Sequence, residues 1–248
     1  MVINALVLAG SHNNGKLAQI CPEPYEALIP LKGRPMVDYV VDALLKTSKV
    51  NKIVIAGPEE LAGRYPEGRV RVVNGGGSVV ESVQQGFAVL PRDAMTLVST
   101  SDIPLLTPEE IEDFLKNCPE GYDVYYPVVY KEAIEQRDKT VKRTYVTLKE
   151  GTVTGGNLFL VNPRIVDQAI VKAQDLIKLR KSPFKLSLLL GIGFVVKFLT
   201  KRLSVKELEE KVGGLLGIRG KAVFSRSFGI GVDVDKPEDL EVALRHLP

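Results

Sequence analysis

Apolar positions along the first half of the chain alternate between two rhythms. VINALVLAG (residues 2–10) is an apolar run of strand length that ends in glycine, the mark of a strand buried on both faces. RPMVDYVVDALLK (34–46) instead spaces Met36, Val37, Val40, Val41, Leu44 and Leu45 as one helix face, with Pro35 placed to open it. KIVIAG (52–57) and VRVV (70–73) predict two more strands. SVVESVQQGFAVL (78–90) predicts a helix capped by Ser78. MTLVSTSD (95–102) reads as a strand that ends in polar residues, and TPEEIEDFLKN (107–117) as a helix with Thr107 as cap and acids in its first turn. Strands alternating with helices predict an α/β sheet covered on both faces.

Beyond residue 120 the rhythm changes. DVYYPVVY (123–130), VKRTYVTLKEGTVTG (141–155, turning at Glu150-Gly151) and NLFLV (157–161) predict strands. Helical patterning then runs from about Pro163 to Gly217, followed by a strand KAVFS (221–225), the segment GVDVD (231–235) and a last helix KPEDLEVALRHL (236–247). No repeat or low-complexity linker interrupts residues 1–248, which predicts one domain with a helical insertion near 175–217.

The first polar loop, GSHNNGKLAQ, matches the phosphate-binding G-x-x-x-x-G-K of P-loop proteins up to Lys16. Leu17 then stands where a Ser or Thr would bind magnesium. Pro22, Pro24 and Pro30 fall within the next fourteen residues and forbid the long helix that a P-loop lysine opens. The loop reads instead as a phosphate cradle of another kind.

The longer pattern supplies that kind. LVLAG with a Gly-containing loop, then ALIPLKGRPMVDYVVDAL, resembles the nucleotidyltransferases of glycosyltransferase-A-like fold. These include molybdenum-cofactor guanylyltransferases, sugar-phosphate nucleotidylyltransferases and methylerythritol-phosphate cytidylyltransferase. NGGGSVVESVQQGF resembles their base-binding loop and helix, STSDIPLLTPEEI their D-x-P strand end, TGGNLFLV their acceptor side, and GVDVDKPEDLEVAL their C-terminal metal-binding segment. The resemblance implies a three-layer α/β/α sandwich around a mostly parallel mixed sheet. The activity it implies is Mg²⁺-dependent transfer of NMP from an NTP to a phosphorylated small molecule.

Candidate residues follow from resemblance and chemistry together. Leu8, Ala9, Gly10, Ser11, Asn13 and Gly15 are candidates to cradle the triphosphate, with glycine allowing successive N–H groups to turn inward. Gly75, Gly76, Gly77 and Ser82 are candidates to receive the base. Asp102 ends a strand, where ligands gather in a doubly wound sheet. Asp233 and Asp235 are two apart and share a side if extended. By the resemblance Asp235 matches the metal-binding position five residues before Leu240, with Asp233 supporting it. Asp102, Asp235 and Asp233 thus form a candidate set of hard oxygen ligands for Mg²⁺. Lys142, Arg143, Thr154 and Asn157 are candidates for the acceptor side, where a phosphate needs a cation.

The chain departs from the resembling families in its charges. Ser11 replaces a second glycine, the loop arginine is missing, Glu26 stands where a lysine is usual, and Val79 replaces an arginine of the cytidylyltransferases. Lys16, the one basic residue of the first loop, is therefore expected to supply the missing cation as a catalytic residue. Two other readings remain: a glycosyltransferase of the same fold using a nucleotide-sugar, and a nucleotide-binding regulator that lost turnover.

Net charge is +3, but residues 172–202 carry +7 and the remainder −4. So local an excess argues against a general nucleic-acid binder. In KSPFKLSLLLGIGFVVKFLTKRLS (181–204) eleven uncharged residues, Leu186 to Val196, lie between bases. That is short of the ~20 needed to span a bilayer. Within 184–200 the pattern suits a wall over an apolar substrate, a homodimer contact, or a helix lying on a membrane surface. Two distant cysteines and no visible secretory signal set the expectation of a cytoplasmic protein.

Overall fold

A computed structural model describes residues 2–179 and 191–247. Its centre is a nine-stranded mixed sheet. Strand β1 (Ile3–Leu8) lies between β4 (Val50–Gly57) and β6 (Thr96–Thr100), parallel to both, and β5 (Val70–Asn74) extends this parallel block to one edge. A two-residue pair, β2 (Pro30–Leu31) and β3 (Arg34–Pro35), stands apart from it.

On the other side of β6 the sheet turns antiparallel. β10 (Leu158–Val161) pairs with β6 and with the start of β7 (Val124–Tyr130). The hairpin β8 (Val146–Leu148) and β9 (Gly151–Gly155) pairs with the end of β7, whose far edge takes β11 (Gly220–Ser225) in parallel.

Side-chain alternation along β1 builds the layers. Ile3, Ala5 and Val7 point into a cluster with Val37, Val40, Val41 and Leu44 of α1 (Met36–Lys46) and Ile111 and Phe114 of α3 (Pro108–Lys116). Leu6 faces the other way, onto Phe87 of α2 (Val79–Val89) and Val166 of α5 (Val166–Leu179). Both faces are covered, as the sequence pattern predicts. A further cluster seats Phe194 of α6 (Ile192–Leu199) and Val205 of α7 (Val205–Leu216) on β7, β9 and β11. The described part of the predicted helical insertion therefore packs on the antiparallel half of the sheet, with residues 180–190 outside the described residues.

Three stretches differ from the sequence reading. Lys131–Arg137 forms a helix, α4, directly after β7. Phe228–Gly231 forms a one-turn helix, α8, ahead of the last helix α9 (Pro237–His246). Residues 141–145, read as strand, run outside the sheet to bring Arg143 inward.

Candidate functional site

The carboxyl ends of β1, β4, β5 and β6 open on one side of the sheet, and the predicted loops leave from there. They approach each other through glycines. A side chain at Gly75 would place its Cβ 2.9 Å from the Cα of Gly10 and 3.2 Å from that of Gly57. Only bare backbone lets the first loop, the end of β4 and the Gly-rich loop meet this closely. Ser82 fastens the Gly-rich loop to α2 by donating to the carbonyl of Gly75. Gly76 takes a left-handed φ of 64°. The N–H of Gly77 donates to Glu81 Oε2 at 2.6 Å, so that donor already has a partner in the first turn of α2.

A cleft of about 410 Å³ lies between these loops, with Gly10, Ser11, Glu26, Gly77, Ser82 and Asp102 among its walls. Leu8 lines it as well, whereas Ala9 is fully buried beneath. A second cleft, about 550 Å³, begins on the other side of Gly10 and reaches Asn74, Gly75 and Gly76.

The first loop is held by its own partners. His12 stacks on Tyr25 with ring centroids 4.7 Å apart, and Glu26 N–H donates to the Ser11 carbonyl at 3.1 Å. Asn13 does not present its amide to the cleft: Nδ2 donates to the carbonyls of Cys21 and Glu23, each at 3.0 Å. Its role is to strap the loop. Gly15 and Lys16 lie outside the cleft wall, and Lys16 is exposed at the start of a single 3-10 turn, Leu17–Gln19. That short turn confirms that no P-loop helix follows.

Opposite the loops, three carboxylates converge. One oxygen each from Asp102, Asp233 and Asp235 lies within 4.8 Å of the others. The backbone registers them, because Val234 N–H donates to the Asp102 carbonyl at 2.9 Å. Asn157 adds a second tie. Its N–H donates to Ile230 O at 3.1 Å, its carbonyl accepts from Thr100 N–H at 3.2 Å, and its side chain donates to Asp233 Oδ2 at 2.9 Å. Arg143 forms an ion pair with Asp233 Oδ1. Asp233 is thus buried between Asn157 and Arg143, while Asp235 is exposed.

Asp235 has no capping task. Its N–H donates to Asp239 Oδ2 at 3.2 Å, and Lys236 occupies the cap position of α9. The carboxylate of Asp235 therefore remains available for a ligand. Burial pushes the Asp102 carboxyl up to about 6, opposed by the Thr100 hydroxyl that donates to it and reinforced by the charges of Asp235 and Glu26. Crowded oxygen donors with no nitrogen or sulfur among them suit a hard divalent cation, which can be held here.

The sequence reading grouped Asp102, Asp233 and Asp235, and their carboxylates meet; Asn157, read there as an acceptor-side residue, instead joins them by donating to Asp233. That reading missed Thr100, whose spacing of two from Asp102 was the available signal. The proposed acceptor pair divides: Arg143 turns to the acids while Lys142 is exposed. Thr154 is buried in β9, paired with Val129 of β7.

The description "MobA-like NTP transferase domain" fits residues 23–177. The chain belongs to the MobA-like NTP transferase family. A stretch of 108 residues is 32% identical to a 2-C-methyl-D-erythritol 4-phosphate cytidylyltransferase from Frankia casuarinae, covering 42% of this chain and 41% of that protein. Another, of 176 residues, is 30% identical to the bifunctional protein GlmU of Bacillus subtilis, covering 69% of this chain and 34% of that protein. The chain thus spans less than half the length of these curated relatives.

Solved structures extend the likeness to nearly the whole fold. A hypothetical transferase from Thermus thermophilus superposes with a TM-score of 0.85 at 36% identity, over 97% of this chain and 100% of that one. The 2-C-methyl-D-erythritol 4-phosphate cytidylyltransferase of Francisella tularensis shares the fold with a TM-score of 0.63 at 14% identity, covering 100% of both chains. The family match ends at residue 177, so the C-terminal acids Asp233 and Asp235 join the site through the fold.

Proposed function

We propose that this family member transfers a nucleoside monophosphate from an NTP to a phosphorylated small-molecule acceptor, with release of pyrophosphate and with Mg²⁺ as the metal. The observation that carries this reading is the meeting of Asp102, Asp233 and Asp235, with Asp102 in the wall of the cleft that Gly10, Ser11 and Gly77 also line.

In this reading the backbone of Gly10 and Ser11 holds the phosphates, and Gly75, Gly76 and Gly77 receive the base. Asp102 and Asp235 hold the metal. Asp233 supports them, fixed by Asn157 and offset in charge by Arg143. Bound there, a divalent cation supplies neutralisation for charge building on the α-phosphate and the departing pyrophosphate. The chain's own work is positioning: the loops and the acids are set by backbone ties before substrate arrives. With Arg143 engaged by Asp233, the exposed Lys142 is the cation of the pair left to meet the incoming acceptor phosphate.

Pyrophosphate release is the test, with each of the four NTPs and a panel of sugar and polyol phosphates in the presence of Mg²⁺. Release that needs both an NTP and one acceptor supports the proposal. Consumption of a nucleotide-sugar without pyrophosphate would install the glycosyltransferase reading instead. Nucleotide binding without turnover of any donor would leave a regulator.

A further inference from the structure

Helix α6 combines apolar exposure with one sign of charge. Six of its eight residues, Ile192, Phe194, Val195, Val196, Phe198 and Leu199, are large and apolar. Phe194 is packed against the sheet in the cluster of Val128, Leu148 and Val153, which fixes the helix in place. Val196, Phe198 and Leu199 face outward, with 51%, 44% and 72% of their surface exposed. Val196 and Leu199 are three apart and share a helix face.

The charges carried by the helix and its C-terminal turn are all positive. Residues 191–204 contain Lys197, Lys201 and Arg202 and no acid. Lys197 pairs with Glu207 of α7. Lys201 and Arg202 are exposed, and neither forms an ion pair among the described residues. Backbone bonds hold them at the end of the helix: Lys201 N–H donates to Phe198 O at 3.0 Å and Arg202 N–H to Lys197 O at 2.7 Å.

We propose that α6 and its C-terminal turn form a docking surface for an anionic lipid bilayer, with Val196, Phe198 and Leu199 entering the interface and Lys201 and Arg202 meeting lipid phosphates. Charge complementarity selects this occupant. Exposed apolar residues followed by two bases that form no ion pair among the described residues fit the boundary between acyl chains and anionic headgroups. A second copy of the chain fits poorly, because a two-fold contact through this face brings the Lys201 and Arg202 of both copies together. Among the described residues no helix is long and apolar enough to cross a membrane, which suits a peripheral contact. Because α6 sits on β7 and β9, the docked protein would present its acceptor side near the bilayer.

The experiment is vesicle co-sedimentation of the full chain, without nucleotide, so that its outcome is independent of transferase activity. Vesicles of equal parts phosphatidylcholine and phosphatidylglycerol are compared at low salt with phosphatidylcholine alone. Wild type is expected to sediment with the anionic vesicles only. The pair Phe198→Ser with Leu199→Ser is expected to lower partitioning by about tenfold or more. Lys201→Glu with Arg202→Glu is expected to abolish the preference for anionic lipid, while Arg71→Glu, an exposed base on β5, leaves it unchanged. Melting curves of the variants control for folding, since the substituted side chains are exposed. Absence of wild-type binding at low salt overturns the proposal, as does an equal loss with Arg71→Glu. A concentration-dependent dimer that the serine pair dissolves, without vesicle binding, assigns the face to a second copy.

Discussion

The main-chain N–H of Val234 donates to the carbonyl of Asp102 at 2.9 Å, across 132 positions of sequence. This one bond sets the C-terminal segment against the end of β6. It places Asp233 and Asp235, which flank Val234, where their carboxylates face Asp102. The acids are therefore assembled by backbone, and their charges can be altered without dismantling the frame.

Asp102→Asn is expected to separate function from stability. The amide keeps an oxygen for the Thr100 hydroxyl and removes a charge from the cluster of Asp102, Asp235 and Glu26. Melting temperature should hold or rise, as relief of like-charge crowding predicts. Pyrophosphate release should fall by about 10²–10³. Asp235→Asn should show the same loss of turnover. Wild type should be stabilised by added Mg²⁺ in a thermal shift assay, and both variants should lose that response. A variant that keeps full turnover and full Mg²⁺ response would remove its residue from the metal set.

Gly75→Ala tests the glycine contact between the loops. The new Cβ would sit 2.9 Å from Gly10 Cα, with backbone on both sides and no side chain free to yield. The expected cost is about 1–3 kcal/mol of stability, measured by urea unfolding. Because the contact joins the two loops proposed to hold the nucleotide, NTP affinity should fall further than stability alone explains. Titration of NTP at a temperature where the variant is fully folded makes that distinction.

The parts of this structure legible in the sequence are those set locally. Strand ends, the Thr107 cap and the Gly-rich loop each carry their cause within a few residues. The capping box of Thr107 and Glu110 forms as its spacing dictates. Convergence of Asp102 with Asp235 followed from family resemblance and fold. What escaped is set by tertiary contact. Helix α4 buries only Ala133 and Ile134, too few to show a helical period, and α8 is a single turn with two glycines. The amide of Asn13 resembles any loop donor until Cys21 and Glu23 fold back onto it. Arg143 and Lys142 are equivalent in sequence, and only the path of residues 141–145 decides which one reaches Asp233.

Acid stability should report on Asp138. This side chain ends α4 and accepts from the Thr140 hydroxyl at 2.6 Å and Arg245 Nη2 at 3.0 Å, with His246 Nε2 also at 3.0 Å. The Thr140 hydroxyl, more than any other partner, holds its carboxyl down at about 2 in the folded chain, against 3.8 ordinarily. A lowered folded value means the stabilisation is complete above pH 4 and is lost as pH falls from 4 toward 2. Asp138→Asn should cost on the order of 1 kcal/mol at neutral pH. The difference from wild type should vanish at the acid end of that range. Urea midpoints across the acid range measure it, and a constant difference at every pH would show that Asp138 acts through packing rather than charge.

Lys16 tests the charge arrangement of the first loop. Among the described residues the cleft wall contains neither Lys nor Arg, and Glu26 adds a negative charge where the proposed triphosphate would enter. Lys16 stands exposed just beyond the wall, on a loop strapped at Asn13 and His12 but open at Gly15. Its four-carbon stem can sweep toward the phosphates without moving the strapped part of the loop. Lys16→Ala is expected to raise the KM for NTP about tenfold or more, the scale of one charge-assisted contact to phosphate. Lys16→Arg should restore most of the affinity, and Glu26→Gln should lower the KM by removing the opposing charge. If Lys16→Ala leaves both KM and kcat unchanged, the triphosphate is held by backbone N–H groups and metal alone, and the lysine is a surface charge.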